Sequence, residues 1–333
     1  MTSKDAMARQ VWEPESVRST LEIALLMSLS ILATLASIAA SGLKFVHAES
    51  FFALFGALLF ALIALNIYQS IRMPNNKRMM TFVNMTIIYL IMSVTFMTFQ
   101  YSLALYKAYP ISNSIEAVDR SIGFVYLDFI TKMNSYPYVS ENIGFCYKNW
   151  MREFVVVFVA LSYFGKFQDL HELTLCYIIA GMSTLAVSGL LDARSFDGVA
   201  AYAVAGLHHP SGVSPDYLKK LDHLRLGLDS VMDFNAIVGL VSFPSFHAGA
   251  AVLLATATRT LKWLWFPFLG FNILILIGTI TEGGHNFMDV IFGCLFAVGA
   301  IAAAQAFRGS TLTSALAVQV ANRFPPSLRP RAQ

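Results

Sequence analysis

A series of long apolar stretches constrains the fold of this chain more than any other feature. A helix needs about 20 mainly apolar residues to cross a bilayer. Only 13% of the residues are charged, against about 25% in an average soluble domain. Eight stretches reach or approach the spanning length, at about 21–42, 51–70, 80–106, 150–165, 170–191, 242–259, 263–281 and 286–307. The sequence therefore predicts an all-α fold, a polytopic membrane helix bundle of about eight transmembrane helices.

Net charge and cysteine content narrow the classes of function. The formal net charge of +3 is small and does not indicate a nucleic-acid partner. The three cysteines are widely spaced and lie mostly in apolar runs, which predicts neither a disulfide framework nor a zinc site (Cys146, Cys176 and Cys294). His208 and His209 could join other polar residues in a metal site, but no tight ligand spacing supports one. We expect no metal and no cofactor.

Basic residues in the short loops predict the orientation of the chain, because cytoplasmic loops carry an excess of Lys and Arg. With eight spans, three basic clusters fall on the side of the N-terminus. They are the turn after the second span, the turn after the sixth span and the tail (Arg72, Lys77 and Arg78; Arg259 and Lys262; Arg308, Arg323, Arg329 and Arg331). This side is predicted to be cytoplasmic. Both long connections, about 107–149 and 192–241, then lie outside, with the N-terminal ends of the sixth and eighth helices.

The first long connection contains apolar residues at helical spacing (Ile115, Val118, Ile122, Val125 and Phe129). This spacing predicts an amphipathic helix. Several tyrosines, Tyr147 among them, and Trp150 have amphipathic rings that settle at headgroup level. We expect the segment to lie in the outer interface, either as a simple cap over the bundle or as a guide for a lipid.

Histidines occur at two helix starts on the predicted outer face, and ionisable residues in membrane helices are functional candidates because they are costly there. His247 follows Pro244, which suits the first turn of a helix, with Ser242 as the cap. His285 follows Gly283-Gly284, which permits a tight turn into the eighth helix. Free N–H groups and the dipole at a helix N-terminus favour an anion, so both helix starts predict a phosphate site.

The spacing of His285 and Asp289 indicates the kind of chemistry, since the two residues lie one turn apart on one helix face. Asp289 can hold one ring nitrogen of His285, which leaves the other nitrogen free to attack phosphorus. His247 can protonate the leaving oxygen. The alternative is that His285 and Asp289 form only a polar clamp within the bundle. The matching histidine at the second helix start favours the catalytic interpretation.

The two motifs together resemble a known family. Pro244-Ser245-Phe246-His247 followed by Gly284-His285-x-x-x-Asp289 is similar to the paired motifs of the type 2 phosphatidic acid phosphatase superfamily. The fuller strings at 242–248 and 283–290, and the segment 117–124, resemble the branch of the inositol phosphorylceramide synthases and their bacterial relatives. The resemblance covers about 112–305. It implies a catalytic membrane domain at 111–307, preceded by a tail and three added transmembrane helices at 1–110 and followed by a cytoplasmic tail at 308–333.

The resemblance also implies roles for four residues. His285 matches the family nucleophile and Asp289 the carboxylate that orients it. His247 matches the general acid, and Ser245 matches the serine that contacts the phosphate. The family chemistry that these residues imply proceeds without a metal.

The chain departs from the superfamily pattern at the basic residues that bind phosphate. The pattern has Ser-Arg six to seven residues before the nucleophile, where this chain has Gly278 and Thr279, and it has Gly in place of Phe246. Its first motif, Lys-x6-Arg-Pro, is absent as such. Phosphoryl transfer depends largely on positioning and neutralising the oxygens. Replacement ligands are therefore expected in the stretch 217–227, where Arg225 is the preferred candidate beside Lys219 and Lys220.

These observations predict an integral-membrane lipid phosphatase or phosphotransferase that acts on a lipid-linked phosphate through a phosphohistidine at the extracytoplasmic face. The expected partners are a membrane lipid phosphate and the bilayer itself, in a bacterial inner membrane. One alternative is transfer to a lipid or polyol acceptor, as in the inositol phosphorylceramide synthases. Another is a non-catalytic phospholipid carrier with the same fold.

Overall fold

Among the residues that the structure describes, six segments are long and apolar enough to cross a membrane, and the protein is an integral membrane protein. The computed structural model describes residues 14–73, 76–194 and 215–308. Within these ranges the six segments are Arg18–Ser41, Ala48–Arg72, Lys77–Ala104, Phe167–Leu190, Phe246–Thr281 and Phe287–Arg308. The all-α membrane bundle is confirmed. The C-terminal tail, His208 and His209 lie outside the described residues.

The first part of the chain consists of long helices followed by short ones. The long helices are α1 (Pro14–Ser41), α2 (Ala48–Arg72) and α3 (Lys77–Ala104), with strand β1 (Lys44–Val46) between α1 and α2. Strand β2 (Tyr109–Pro110) then precedes three short helices, α4 (Ser112–Ser121), α5 (Tyr126–Asn134) and α6 (Pro137–Lys148). The next elements are α7 (Trp150–Tyr163), α8 (Phe167–Leu190) and strand β3 (Leu191–Asp192).

The second part of the chain carries both histidine motifs. It contains α9 (Pro215–Arg225), strand β4 (Val231–Asp233), α10 (Phe246–Ala257), a 3-10 turn (Thr258–Leu264), α11 (Trp265–Thr281) and α12 (Phe287–Arg308). The parallel strand pair β1 with β4 joins this part to the first, whereas the parallel pair β2 with β3 lies within the first part. The β1–β4 pair holds the segment before α10 against the link between α1 and α2. The β2–β3 pair holds the segment before α4 against the end of α8.

The predicted count of eight spans is not confirmed. The segment Phe246–Thr281 contains two helices, α10 and α11, which pack against each other. The 3-10 turn joins them at Lys262, whose φ of 55° lies in the left-handed region. Helix α7 has 14 residues and is therefore about 21 Å long. That length is short of the hydrocarbon core of a bilayer, which is about 30 Å thick.

The prediction of one amphipathic helix between 107 and 149 is wrong, because the segment forms the three helices α4, α5 and α6. The chain turns at Gly123, whose φ of 82° is a conformation that favours glycine. Val118 and Ile122 are exposed, whereas Ile115 on the same helical repeat is buried. The apolar residues at helical spacing therefore belong to two separate helices, α4 and α5.

Helix α8 lies at the centre of the bundle, where it packs against α1, α3, α10 and α12. Its contact with α3 is close, because a Cβ atom on Gly181 would lie 2.3 Å from the ring of Phe96. A glycine at this point lets the Phe96 ring of α3 pack directly on the backbone of α8. Helix α8 thus connects the N-terminal helices α1 and α3 to the two helices that carry His247 and the His285–Asp289 pair.

Candidate active site

The His285–Asp289 pair lies at the start of α12. Both residues are buried, with 4% of His285 and none of Asp289 exposed. Atom Oδ2 of Asp289 lies 3.4 Å from Nδ1 of His285 and accepts a hydrogen bond of 3.0 Å from the N–H of Asn286. This arrangement places the carboxylate against Nδ1. The nitrogen left for other chemistry is Nε2.

His247 lies in the first turn of α10 between two aromatic side chains. Its ring centroid is 4.9 Å from that of Tyr147 and 5.0 Å from that of Trp150. His247 is also near enough to His285 for charges on the two rings to repel each other. The structure therefore brings together the three residues predicted to be catalytic. It adds Tyr147 and Trp150, which the sequence indicated only as interfacial aromatic residues.

The two histidine motifs are joined directly through the backbone. The N–H of Ser245, immediately before α10, donates a hydrogen bond of 3.0 Å to the carbonyl oxygen of Asp289 in α12. The helices approach each other at Gly293, where an added Cβ atom would lie 2.2 Å from the carbonyl oxygen of Ser245. It would also lie 3.0 Å from Cβ of Ala248. The separation of His247 and His285 thus depends on a glycine one turn beyond Asp289.

Substitution of Gly293 by alanine is expected to destabilise the protein, because the added methyl group pushes α10 away from α12. Overpacking of this kind costs about 1–3 kcal/mol, so the melting temperature in detergent should fall. The control is Gly299→Ala on the same helix, where an added Cβ atom meets nothing within 4 Å. Equal melting temperatures for the two variants would contradict the close approach described here.

The start of α12 is occupied by a residue that lies far away in sequence. Asp119 of α4 is buried, and its two carboxylate oxygens accept hydrogen bonds of 2.9 Å and 3.0 Å from the N–H groups of Phe287 and Met288. Burial raises the pKa of the Asp119 carboxyl, and these two hydrogen bonds act in the opposite direction. Because Asp289 already takes the N–H of Asn286, the predicted anion site at the start of this helix is wrong.

Asp119→Asn is expected to lower the melting temperature, because the side-chain amide can accept only one of the two hydrogen bonds and turns its NH₂ group toward the other N–H. Loss of a helix N-terminal cap costs about 0.5–2 kcal/mol. The matched control is Glu116→Gln on the same helix, since Glu116 pairs with Arg120 and both side chains are exposed. A larger loss of stability in the control would contradict the capping role of Asp119.

The structure corrects the predicted start of the sixth span. Helix α10 begins at Phe246, and Ser245 is its N-cap because its hydroxyl oxygen lies 3.4 Å from the N–H of Ala248. Pro244 therefore precedes the cap and does not stand in the first turn, and Ser242 is not the cap. The side chain of Ser245 is fully buried. Its predicted contact with the phosphate stays a prediction.

Arg225, the preferred replacement for the motif arginine, has a different set of partners. Its guanidinium group donates hydrogen bonds of 3.0 Å to the carbonyl oxygens of Tyr106, Ser188 and Gly189. The last carbonyl groups of a helix lack intrahelical partners, and Arg225 satisfies two of them at the end of α8. Among the described residues no contact joins Arg225 to either catalytic histidine, so its placement does not support a role in the phosphate clamp.

The two predicted lysine ligands are likewise not brought to the histidines. Lys220 forms an ion pair with Asp229, in the short loop after α9. Lys219 is exposed on α9. No contact of either side chain with His247 or His285 is found among the described residues. Within the same ranges, no group of three His, Cys, Asp or Glu side chains is placed to hold a metal ion.

Comparison with known families gives a match. A family model of the PAP2 superfamily, whose motifs the two histidine segments resemble, matches residues 113–303. The chain belongs to the PAP2 superfamily. Neither a search of curated proteins nor a search of solved structures finds a match. Members of the PAP2 superfamily are generally phosphatases or phosphotransferases.

The PAP2 match contains every residue of the histidine site. It begins just before Asp119 and ends beyond Gly293, so it includes the cap of α12, both histidine motifs and the close contact between α10 and α12. Helices α1, α2 and α3 lie before the match. The predicted domain boundaries and the inositol phosphorylceramide synthase-like branch stay predictions.

Proposed function

We propose that this protein is an integral-membrane phosphatase or phosphotransferase that cleaves a lipid-linked phosphate through a phosphohistidine on His285. The observation that supports the proposal most is the junction of α10 and α12, which brings His247 to a buried His285–Asp289 pair. A paired carboxylate and imidazole with a second histidine nearby is the set of groups that nucleophilic and general acid catalysis requires.

The first step transfers the phosphoryl group to the enzyme. The lone pair on Nε2 of His285 attacks phosphorus, and the bond from phosphorus to the leaving oxygen breaks. Protonated His247 gives its proton to that oxygen, which departs as an alcohol or a phosphate. The proton on Nδ1 of His285 is held by Asp289 and stabilises the positive charge that develops on the ring.

The second step releases the phosphoryl group to an acceptor. Neutral His247 removes a proton from the acceptor hydroxyl, whose oxygen attacks phosphorus, and the bond between Nε2 and phosphorus breaks. If water is the acceptor, the product is inorganic phosphate. If the acceptor is a lipid or polyol alcohol, the product is a new phosphate ester, the reaction class of the resembled synthase branch. Both outcomes share the phosphohistidine.

Backbone groups at the start of α10 support phosphate binding at this place. The N–H groups of Phe246 and His247 stand in the first helical turn, and no hydrogen-bond partner for them is found within the described ranges. A helix N-terminus with free N–H groups favours an anion. In contrast to α12, whose first N–H groups are occupied by carboxylates, α10 can offer these donors to phosphoryl oxygens.

The extracytoplasmic position of the site, in a bacterial inner membrane, is also part of the proposal. Two of the predicted basic clusters do meet at one end of the bundle, since Arg259 and Arg308 lie 3.9 Å and 3.3 Å from the carboxylate of Glu172. Glu172 stands near the start of α8, whereas Arg225 binds the end of α8. Basic residues mark the cytoplasmic side, so the histidines at the starts of α10 and α12 are proposed to face outward.

The proposal is tested with purified protein in detergent, without added metal, by release of inorganic phosphate from phosphatidate or a prenyl pyrophosphate and of inositol phosphate from phosphatidylinositol. Release from at least one of them supports the phosphatase. If none releases phosphate, ceramide or diacylglycerol is added as an acceptor, and formation of a new phosphate ester supports the phosphotransferase. Absence of both reactions contradicts the proposed function and favours a carrier that binds lipid phosphates without cleaving them.

A further inference from the structure

Tyr147 of α6 reaches both catalytic histidines. Only 7% of the residue is exposed, and its ring packs on the imidazole of His247 at an interplanar angle of 34°. Its hydroxyl group points past Gly283 toward His285. A methyl group added to Gly283 would lie 2.8 Å from the Tyr147 hydroxyl oxygen and 3.0 Å from Cδ2 of His285. The hydroxyl oxygen and Cδ2, the ring carbon bonded to Nε2, therefore lie close to the same point beside Gly283, where there is no room for a methyl group.

The hydroxyl group of Tyr147 has no hydrogen-bond partner among the described residues. The hydroxyl oxygen keeps some accessible surface, so a phosphoryl oxygen that arrives with the substrate can reach it and accept its hydrogen bond. Burial, together with the negative charge of Glu282, raises the pKa of the Tyr147 phenol. The group therefore stays protonated at neutral pH and can donate a hydrogen bond.

A glycine on α11 admits Tyr147 to this place. A Cβ atom on Gly278 would lie 2.8 Å from Cβ of Tyr147, so any larger residue would push α6 away from α11. The next residue, Thr279, donates its hydroxyl group to the carbonyl oxygen of Ile275 and offers no donor to the site. The stretch that lacks the superfamily Ser-Arg pair is thus the stretch on which Tyr147 packs.

Lys148, the residue after Tyr147, offsets the charge of Glu282 next to the site. Atom Nζ of Lys148 lies 3.9 Å from the carboxylate of Glu282. The same end of α6 therefore brings a hydroxyl donor to the edge of His285 and a positive charge to the acidic residue next to it. Both are suited to a site that receives a dianion.

We propose that the Tyr147 hydroxyl donates a hydrogen bond to a non-bridging oxygen of the phosphoryl group while it is transferred to His285. Tyr147 is then a catalytic residue, and it supplies a donor in place of the motif arginine that this chain lacks. The inference rests on the proposed function, because it requires a phosphoryl group at His285. It assigns a phosphate ligand to α6, outside both histidine motifs.

Tyr147→Phe tests this inference, because it removes the hydroxyl group and keeps the ring that packs on His247. The expected result is a loss of about 100-fold in kcat/KM for phosphate release, the size of effect seen when one preorganised donor to a transition-state oxygen is removed. Affinity for vanadate, a mimic of the phosphoryl group in transfer, should fall with it. Stability should be unchanged or higher, since no hydrogen bond within the protein is lost.

The matched control is Tyr177→Phe, which removes a buried tyrosine hydroxyl from α8, where the ring packs on Phe246. The control should keep the wild-type kcat/KM and vanadate affinity. If Tyr147→Phe also lowers the melting temperature, the rise in melting temperature that vanadate causes is compared between the variant and the wild-type protein. A rise as large as that of the wild type overturns the inference, and the absence of a rise supports it.

Failure of this inference can be separated from failure of the proposed function. A wild-type protein that neither transfers phosphate nor binds vanadate contradicts both. A wild-type protein that is active and depends on His285, beside a Tyr147→Phe variant with unchanged kcat/KM and vanadate affinity, overturns only the role of Tyr147.

Discussion

His285→Ala is expected to abolish turnover of every lipid phosphate that the wild-type protein cleaves. The imidazole held by Asp289 is then gone, and no phosphohistidine can form at this position. Removal of a catalytic nucleophile costs about 10⁴-fold or more in kcat. The initial rate of phosphate release from lipid in mixed micelles measures the loss. Alanine at 285 leaves the N–H bonds to Asp119 and Asp289 in place, so the start of α12 should persist.

The control for His285→Ala is a histidine variant away from the site. His47 lies between α1 and α2, where its half-exposed ring is 2.9 Å from a carboxylate oxygen of Asp233. His47→Ala should keep the wild-type rate. A folded His285→Ala protein, shown by its melting temperature, that sustains full turnover would falsify the nucleophilic role.

His247→Gln is expected to show the second largest effect, and the size of the effect should depend on the leaving group. General acid catalysis contributes about 10²–10⁴-fold, so release of an alkyl alcohol from a lipid phosphate should fall by that factor. With p-nitrophenyl phosphate the leaving oxygen is stable without a proton, and the loss should be much smaller. Rates for both substrates, measured on wild type and variant, give the ratio that identifies the proton donor.

An equal loss on both substrates would contradict the general acid role of His247. It would indicate instead that the variant disturbs the packing with Tyr147 and Trp150. The melting temperature separates these causes, because a packing defect lowers stability and the loss of a proton donor does not.

The grouping of His247, His285 and Asp289 could be predicted because it depends on short-range rules. Residues 285 and 289 share a helix face by spacing alone, and the loop charges led to the prediction that both motif-bearing helices start at one membrane face. The left-handed turn at Gly284, with φ of 66°, follows from residue type as well. None of these features requires knowledge of which helices are neighbours.

The partners of buried polar groups could not be predicted in the same way. Asp119 caps a helix that begins 168 residues later, and nothing in its own segment reveals which N–H groups it meets. Arg225 suggested a phosphate ligand by its charge, yet backbone carbonyl groups at the end of α8 take its donors. Both placements are determined by N–H and carbonyl groups at helix ends, which lack partners within their own helix. Which side chain pairs with these groups is known only once the packing of the helices is known.

The role of Tyr147 was hidden for a related reason. In the sequence it is one of several tyrosines in an interfacial segment, with no motif around it. Its position depends on Gly278 and Gly283, which leave space for its ring and hydroxyl group between α6 and the loop before α12. Small residues that permit such contacts are easy to see in the sequence, but the side chain that fills the space is not.

The central claim is that His285 carries the phosphoryl group between two half-reactions, and acid-sensitive labelling tests it most directly. Protein is mixed with a ³²P-labelled lipid phosphate, stopped in base within one turnover, and the labelled residue is located by mass spectrometry. The account predicts a label on His285 that is stable in base, lost in acid, and absent from His285→Ala. An active wild-type protein that never becomes labelled, or a label that persists in His285→Ala, would contradict it.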